Sequence, residues 1–174
     1  MAEFDPVRIL RCLDDHEVRY VVIGAVAARL WGAPLLTADI DITPADDPPN
    51  LAALSAALRE LGARLRTANE PEGVEFPIEP ELLAAATSWT LTTRWGDLDL
   101  VFLPSGSGGY RDLIRDASNL RVSEQDGLTV MVASLSDVVR TKEAAGRDKD
   151  RAALPLLRKT LEESYRSRPG ASSS

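Results

Sequence analysis

Two aspartates stand two residues apart in the short apolar stretch Thr37-Ala38-Asp39-Ile40-Asp41-Ile42-Thr43. Read as a β-strand, the alternation turns both carboxylates to one face and Ile40 and Ile42 to the other. The carboxylates then stand side by side, with Cα atoms about 6.5 to 7 Å apart, on a strand whose opposite face can be pinned to a core. Like charges so placed repel, and folding has no use for them. A pair of divalent cations clamping an in-line phosphoryl displacement uses both. The plainer alternative is one solvated acid and one acid capping a turn before Pro44. A second pair, Asp97 and Asp99, alternates with Leu98 and Leu100 in the same way. On a neighbouring strand one of them would lie beside the first two; otherwise they are a turn residue and an edge charge.

The elements that must position these acids are legible around them. Tyr20-Val21-Val22-Ile23 ends at Gly24, and an alanine-rich segment then runs without a breaker to Gly32. That is strand, tight turn and helix, followed by the Asp39 strand. A strand ending in Gly24-Ala25 leaves backbone N–H groups free at the helix start, where neither residue has the bulk to keep a phosphate away. Asp5-Pro6 opens a first helix, with Val7, Leu10 and Leu13 on one face. After Pro48-Pro49 the pattern predicts a helix capped by Asn50 and ending at Gly62, with Leu51, Leu54, Leu58 and Leu61 as its stripe. The acidic, proline-broken segment 69–80 predicts a mobile, solvated loop, or else a surface for a partner protein. Trp89–Thr93 and Leu98–Leu103 read as a hairpin about Gly96. Ser105-Gly106-Ser107-Gly108-Gly109 lacks the ending of a Walker motif and is read as a plain loop. A short helix over Tyr110–Asp116 and a hairpin about Asp126-Gly127 follow. Ser134-Leu135-Ser136-Asp137 is a capping box opening a helix that ends at Gly146. A last helix starts near Arg147 and carries Leu154, Leu156, Leu157 and Leu161. Between Asp137 and Arg168 nine Lys or Arg meet six Asp or Glu, so this end is locally basic. Residues 167–174 read as a disordered polar tail.

Composition narrows the chemistry. A chain of 174 residues, 44% hydrophobic and 27% charged, is expected to form one soluble domain, or one with a small appendage. Cys12 and His16 are the only residues of their types. An internal disulfide is therefore excluded, as is a zinc site made from a cluster of Cys and His. His16 falls on the first helix and is not expected to do chemistry, which leaves Asp, Glu, Lys, Arg, Ser, Thr and a metal. The net charge of −7 argues against nucleic-acid binding by bulk electrostatics without excluding a local basic patch. No apolar run is long enough to span a bilayer and the N-terminus has no signal pattern, so the expected location is the cytoplasm.

Gly24-Ala25 and then, after a short helix, Thr37-Ala38-Asp39-Ile40-Asp41 resemble the signature of the nucleotidyltransferase superfamily to which DNA polymerase β belongs. Within it the chain is most similar to the small bacterial nucleotidyltransferase toxins of the AbiEii and MenT type, from about Tyr20 to Leu157. Two positions depart from the pattern. Gly24-Ala25 stands where the family usually has Gly-Ser or Gly-Gly, and Leu35 stands where many relatives carry an arginine. Both changes bear on the grip on the triphosphate rather than on metal binding.

The resemblance implies an α/β fold: a small mixed sheet flanked by helices over residues 1–133, and a C-terminal helical element over 134–166 that completes the site. It implies two Mg²⁺ or Mn²⁺ ions held by Asp39, Asp41 and a third acid, Asp99 by preference and Asp97 as second choice. Gly24, Ala25 and Thr37 are the implied nucleotide contacts. Lys142, Ala144-Ala145-Gly146-Arg147 and Lys149-Asp150 match the family's C-terminal element. By that match Lys142 neutralises the triphosphate, Arg147 adds a fork for its oxygens, and Asp150 positions the lysine or the substrate. The implied substrates are a nucleoside triphosphate and an RNA acceptor, the 3′ end of a tRNA, and the implied partner is a cognate antitoxin. Three rivals stand beside this: transfer to a small molecule or a protein hydroxyl, a non-catalytic binding module, and an unrelated scaffold on which the named residues never converge.

Overall fold

A computed structural model describes residues 3–168. The chain opens with α1 (Pro6–Asp15), whose N-cap Asp5 accepts from the Arg8 backbone N–H and whose first position is proline. Ile9, Leu10 and Leu13 are fully buried beneath it. β1 (Tyr20–Ile23) then runs straight into α2 (Gly24–Leu30), and β2 (Asp39–Pro44) follows. The Trp31 indole donates to the Ala133 carbonyl at 2.8 Å, tying the end of α2 to a segment about a hundred residues on.

α3 (Pro48–Glu60) buries the expected leucine stripe, but its N-cap is Asp47, which accepts from the Asn50 backbone N–H. Asn50, expected as the cap, is instead buried inside the first turn. Its amide accepts from the Arg19 N–H and donates to the carbonyls of Arg19 and Ala45, closing the end of the β1–β2 pair. A cap needs only a neighbouring polar side chain, and here two candidates compete while a distant strand claims one of them.

The middle of the chain adds β3 (Arg64–Leu65), the short α4 (Pro80–Leu83), β4 (Ser88–Thr93) and β5 (Gly96–Val101). The segment between β3 and α4 is no free insert. Val74 and Leu65 exchange backbone hydrogen bonds at 2.8 Å, and Phe76 stacks on Trp89 with centroids 5.8 Å apart. Its acids face water while the apolar residues between them find the sheet. Next come α5 (Tyr110–Leu113), β6 (Ser118–Arg121) and β7 (Thr129–Val132), the last two antiparallel as expected. α6 (Leu135–Ala145) is capped by the Ser134 hydroxyl and stopped by Gly146 in the left-handed region, φ 62°. α7 (Asp148–Arg166) closes the chain, running through Pro155. Ser167, expected in the tail, caps α7; residues 169–174 lie outside the described residues.

Seven strands form one mixed sheet in the order β3-β4-β5-β2-β1-β7-β6. β1 pairs antiparallel with β2, and β2 pairs parallel with β5. Ile40, Ile42, Leu98 and Leu100 on these central strands are fully buried. Leu135, Val138, Leu154 and Leu157 of the last two helices belong to the same core. No helix among the described residues is long and apolar enough to cross a membrane.

Candidate active site

The parallel register of β2 and β5 sets Asp39 beside Asp97 and Asp41 beside Asp99. With Ile40, Ile42, Leu98 and Leu100 locked into the core, all four acids emerge on the other face. Carboxylate oxygens of Asp39, Asp41 and Asp99 lie within 4.8 Å of one another. Asp97 is outside this group and turns to Arg66, whose Nε is 3.3 Å from its Oδ2. The same guanidinium reaches Asp99 Oδ1 at 3.5 Å. That oxygen is buried and makes no hydrogen bond.

Local groups fix the acids further. The Thr37 hydroxyl, expected as a nucleotide contact, donates to Asp39 Oδ1 at 2.7 Å and so holds that carboxylate. Gly24 has φ +67°, and a Cβ on it would sit 2.5 Å from Asp41 Oδ2. The glycine is thus required twice, by its backbone conformation and by the carboxylate packed over it. Burial pushes Asp41 up to about 7; the charges of Asp39 and Asp99 add to this, and Lys142 and Lys149 oppose it. Burial likewise raises Asp99 to about 6, with Asp39 adding and Arg66 opposing.

Across from the acids stand α6 and α7. Asp150 is fully buried; Lys142 Nζ lies 3.3 Å from its Oδ1, and Arg147 Nε lies 2.7 Å from its Oδ2. Burial alone would raise Asp150, but the Arg147 hydrogen bond and the Lys142 charge outweigh it and hold the carboxyl below its usual range. The Arg147 fork, expected to face phosphate oxygens, therefore closes on Asp150 through Nε and one terminal nitrogen.

A cleft of about 820 Å³ lies between the two walls. Gly24, Ala25, Thr37, Asp39, Asp41, Asp99, Lys142, Arg147 and Asp150 all line it, and Asp97 does not. Lys149, part of the matched C-terminal element but given no role of its own, also lines it, as do Leu36, Trp89 and Leu103, which sequence reasoning does not single out. Arg66 was missed as well, since it follows a two-residue strand too short to show a period. An all-oxygen donor set of three acids suits hard divalent ions such as Mg²⁺ or Mn²⁺.

Several solved structures share this architecture, three of which follow. A protein of Thermotoga maritima classed as a nucleotidyltransferase superposes with a TM-score of 0.53 at 19% identity, covering 93% of this chain and 97% of its own. The lincosamide antibiotic adenylyltransferase LnuA, bound to lincomycin, gives 0.59 at 14% identity, over 89% and 95%. The antibiotic-resistance factor ANT(2'')-Ia gives 0.55 at 17% identity, over 94% and 90%. The fold is that of the nucleotidyltransferases. The sequence itself matches no family profile and no curated protein.

Proposed function

We propose that the chain is a metal-dependent nucleotidyltransferase that moves a nucleoside monophosphate from a nucleoside triphosphate to an acceptor hydroxyl. The observation that carries this reading is the convergence of Asp39, Asp41 and Asp99 within 4.8 Å, opposite Lys142 in one cleft. The acceptor oxygen bonds to the α-phosphorus as the bond to the β-phosphate oxygen breaks; the acceptor loses its proton and pyrophosphate leaves. Held by the three carboxylates, two Mg²⁺ or Mn²⁺ ions would supply Lewis-acid activation of the acceptor and neutralise charge on the leaving group.

The chain's own residues do the positioning. Asp39 and Asp41 would hold the ions and Asp99 would serve the attacking side, while Thr37 keeps the Asp39 carboxylate oriented. Lys142 stabilises negative charge on the phosphates, aimed by its contact with buried Asp150. Arg147 braces Asp150 from the other side and leaves the rest of its exposed guanidinium to the triphosphate. The helical element over 134–166 thus completes the site.

For the acceptor, the resemblance of the sequence supports the 3′ end of a tRNA, and with it a cytoplasmic toxin restrained by a cognate antitoxin. The locally basic α6–α7 segment suits RNA. A small-molecule acceptor is the second reading. It is favoured by an apolar mouth, where Leu36 is 98% and Leu103 55% exposed, and by the −7 net charge. LnuA and ANT(2'')-Ia, whose names tie them to antibiotics, agree with it.

The test is transfer of label from each of the four nucleoside triphosphates, with Mg²⁺ or Mn²⁺, into total RNA and into a panel of hydroxylated small molecules. Label in RNA that vanishes in Asp39→Ala and Lys142→Ala supports the first acceptor. Label only in a small molecule assigns the second, and no metal-dependent transfer to any acceptor overturns the enzyme reading.

A further inference from the structure

Outside the cleft, a second group of donor atoms converges where the end of α1 meets the end of α3. We propose that Cys12, His16 and Glu60 form a separate site for a borderline-soft divalent ion of the Zn²⁺ class, clipping α1 to α3. Cys12 and His16 are four residues apart, one in the helix and one at its C-cap, so their side chains share a face. Glu60 is the last residue of α3. One donor atom from each lies within 4.8 Å of the other two. His16 Nε2 is 2.5 Å from Glu60 Oε2, and the Cys12 thiol reaches the Ala57 carbonyl, one turn before Glu60, at 3.7 Å.

Zinc bonds of about 2.3 Å to sulfur and about 2.0–2.2 Å to nitrogen and oxygen need the His–Glu contact to open slightly and the thiol to draw in. The Glu60 side chain, 63% exposed, has the freedom to allow it, and solvent at this edge can supply water as a fourth ligand. Binding sends the thiol proton to solvent, and thiolate plus carboxylate then balance the dication. In the free protein the thiol stays neutral, because burial and the nearby Glu60 and Asp15 charges push it up to about 11.

The two sites differ in hardness. Three carboxylates select Mg²⁺ or Mn²⁺, whereas a sulfur, nitrogen and oxygen set selects Zn²⁺, Co²⁺ or Cd²⁺. A count of Cys and His alone excludes a site built from those two types. The third ligand is a glutamate 44 positions from His16, which only the packing of α1 on α3 brings near.

Titration of the full chain with Co²⁺ in excess Mg²⁺, repeated in Asp41→Asn, tests the site without counting the carboxylate cluster. The expected result is one Co²⁺ per chain with a thiolate-to-cobalt charge-transfer absorption. The band should be absent in Cys12→Ser, and affinity should fall more than about 10-fold in His16→Ala and Glu60→Gln. Should Cys12→Ser perturb folding, the His16 and Glu60 variants decide. Saturation with Co²⁺ and no thiolate band, or undiminished affinity in His16→Ala, overturns the proposal. Neither result bears on nucleotidyl transfer.

Discussion

The acid wall and the cationic wall of the cleft treat charge in opposite ways. Asp41 and Asp99 are held on central strands among other acids, and their carboxyls are pushed up toward neutrality. Lys142 and Arg147 share a buried counter-ion, Asp150, supplied one turn away by the start of α7. The acids owe their positions to apolar partners on the far face of the sheet, since Ile40, Ile42, Leu98 and Leu100 leave the strands no other register. The cations owe theirs to one another through Asp150. One wall therefore stores repulsion that a dication would relieve, and the other is already neutralised in part and presents its remaining charge to an anion.

The largest expected effect comes from removing charge on the acid wall. Asp41→Asn should lower nucleotidyl transfer by roughly 10³-fold or more, because the proposed metal site would lose a ligand. The same change should raise the stability of metal-free protein by about 1–3 kcal/mol, since a buried repulsive charge disappears. A labelling assay and a thermal melt in EDTA check the two halves, and a destabilised Asp41→Asn would break the contrast between the walls. On the other wall Lys142→Ala should cost about 10²-fold in activity and should not stabilise the fold, because it strips a counter-charge from buried Asp150. Equal stabilisation by both variants would mean the walls do not differ.

The contrast also explains which parts of the molecule were legible in the sequence. The β1–α2–β2 unit could be read because its signals are local: a β-branched run, a glycine, and aspartates alternating with isoleucines. Asp5-Pro6 and Ser134 announced α1 and α6 for the same reason. Asp99 and Asp97 could not be separated by alternation, which both obey; the difference is the Arg66 partner, and it arrives from across the sheet. Asn50 reads as a cap from sequence because nothing nearby reveals its bonds to Arg19 and Ala45. The role of Gly24 was half legible. A tight turn was apparent, but the space above the glycine holds the Asp41 carboxylate rather than standing open to a phosphate.

That contact gives the next prediction. Gly24→Ala places a methyl 2.5 Å from Asp41 Oδ2 on a backbone at φ +67°. The fold should lose about 1–3 kcal/mol, and Mn²⁺ affinity should fall because the displaced carboxylate is a proposed ligand. A melt and a metal titration read both; loss of stability with unchanged Mn²⁺ affinity would detach Gly24 from the acid wall.

The smallest effect is the pH dependence of the metal-free fold, and its sign separates the acid wall from Asp112, an acid outside the cleft that has its own counter-charges. Asp41, at about 7 when folded against an ordinary 3.8, holds its proton more tightly in the native state. The penalty for its charge is therefore full above pH 7, shrinks as pH falls toward 4, and is gone below that. Asp99, at about 6, acts in the same direction. Asp112 works the other way: the Gly108 N–H, Arg115 and Arg140 hold it at about 2, so its stabilisation is present above about pH 4 and lost only as pH drops through 2. The two windows do not overlap. In EDTA the melting temperature should rise between pH 8 and 5, by about 1–2 kcal/mol of stability. Asp41→Asn should flatten that rise. Saturating Mn²⁺ should reverse it, because an ion bound to ionised carboxylates competes with their protons. A metal-free protein that loses stability over the same interval would show that its carboxylates already have counter-charges, and the acid wall would then be no different from the cationic one.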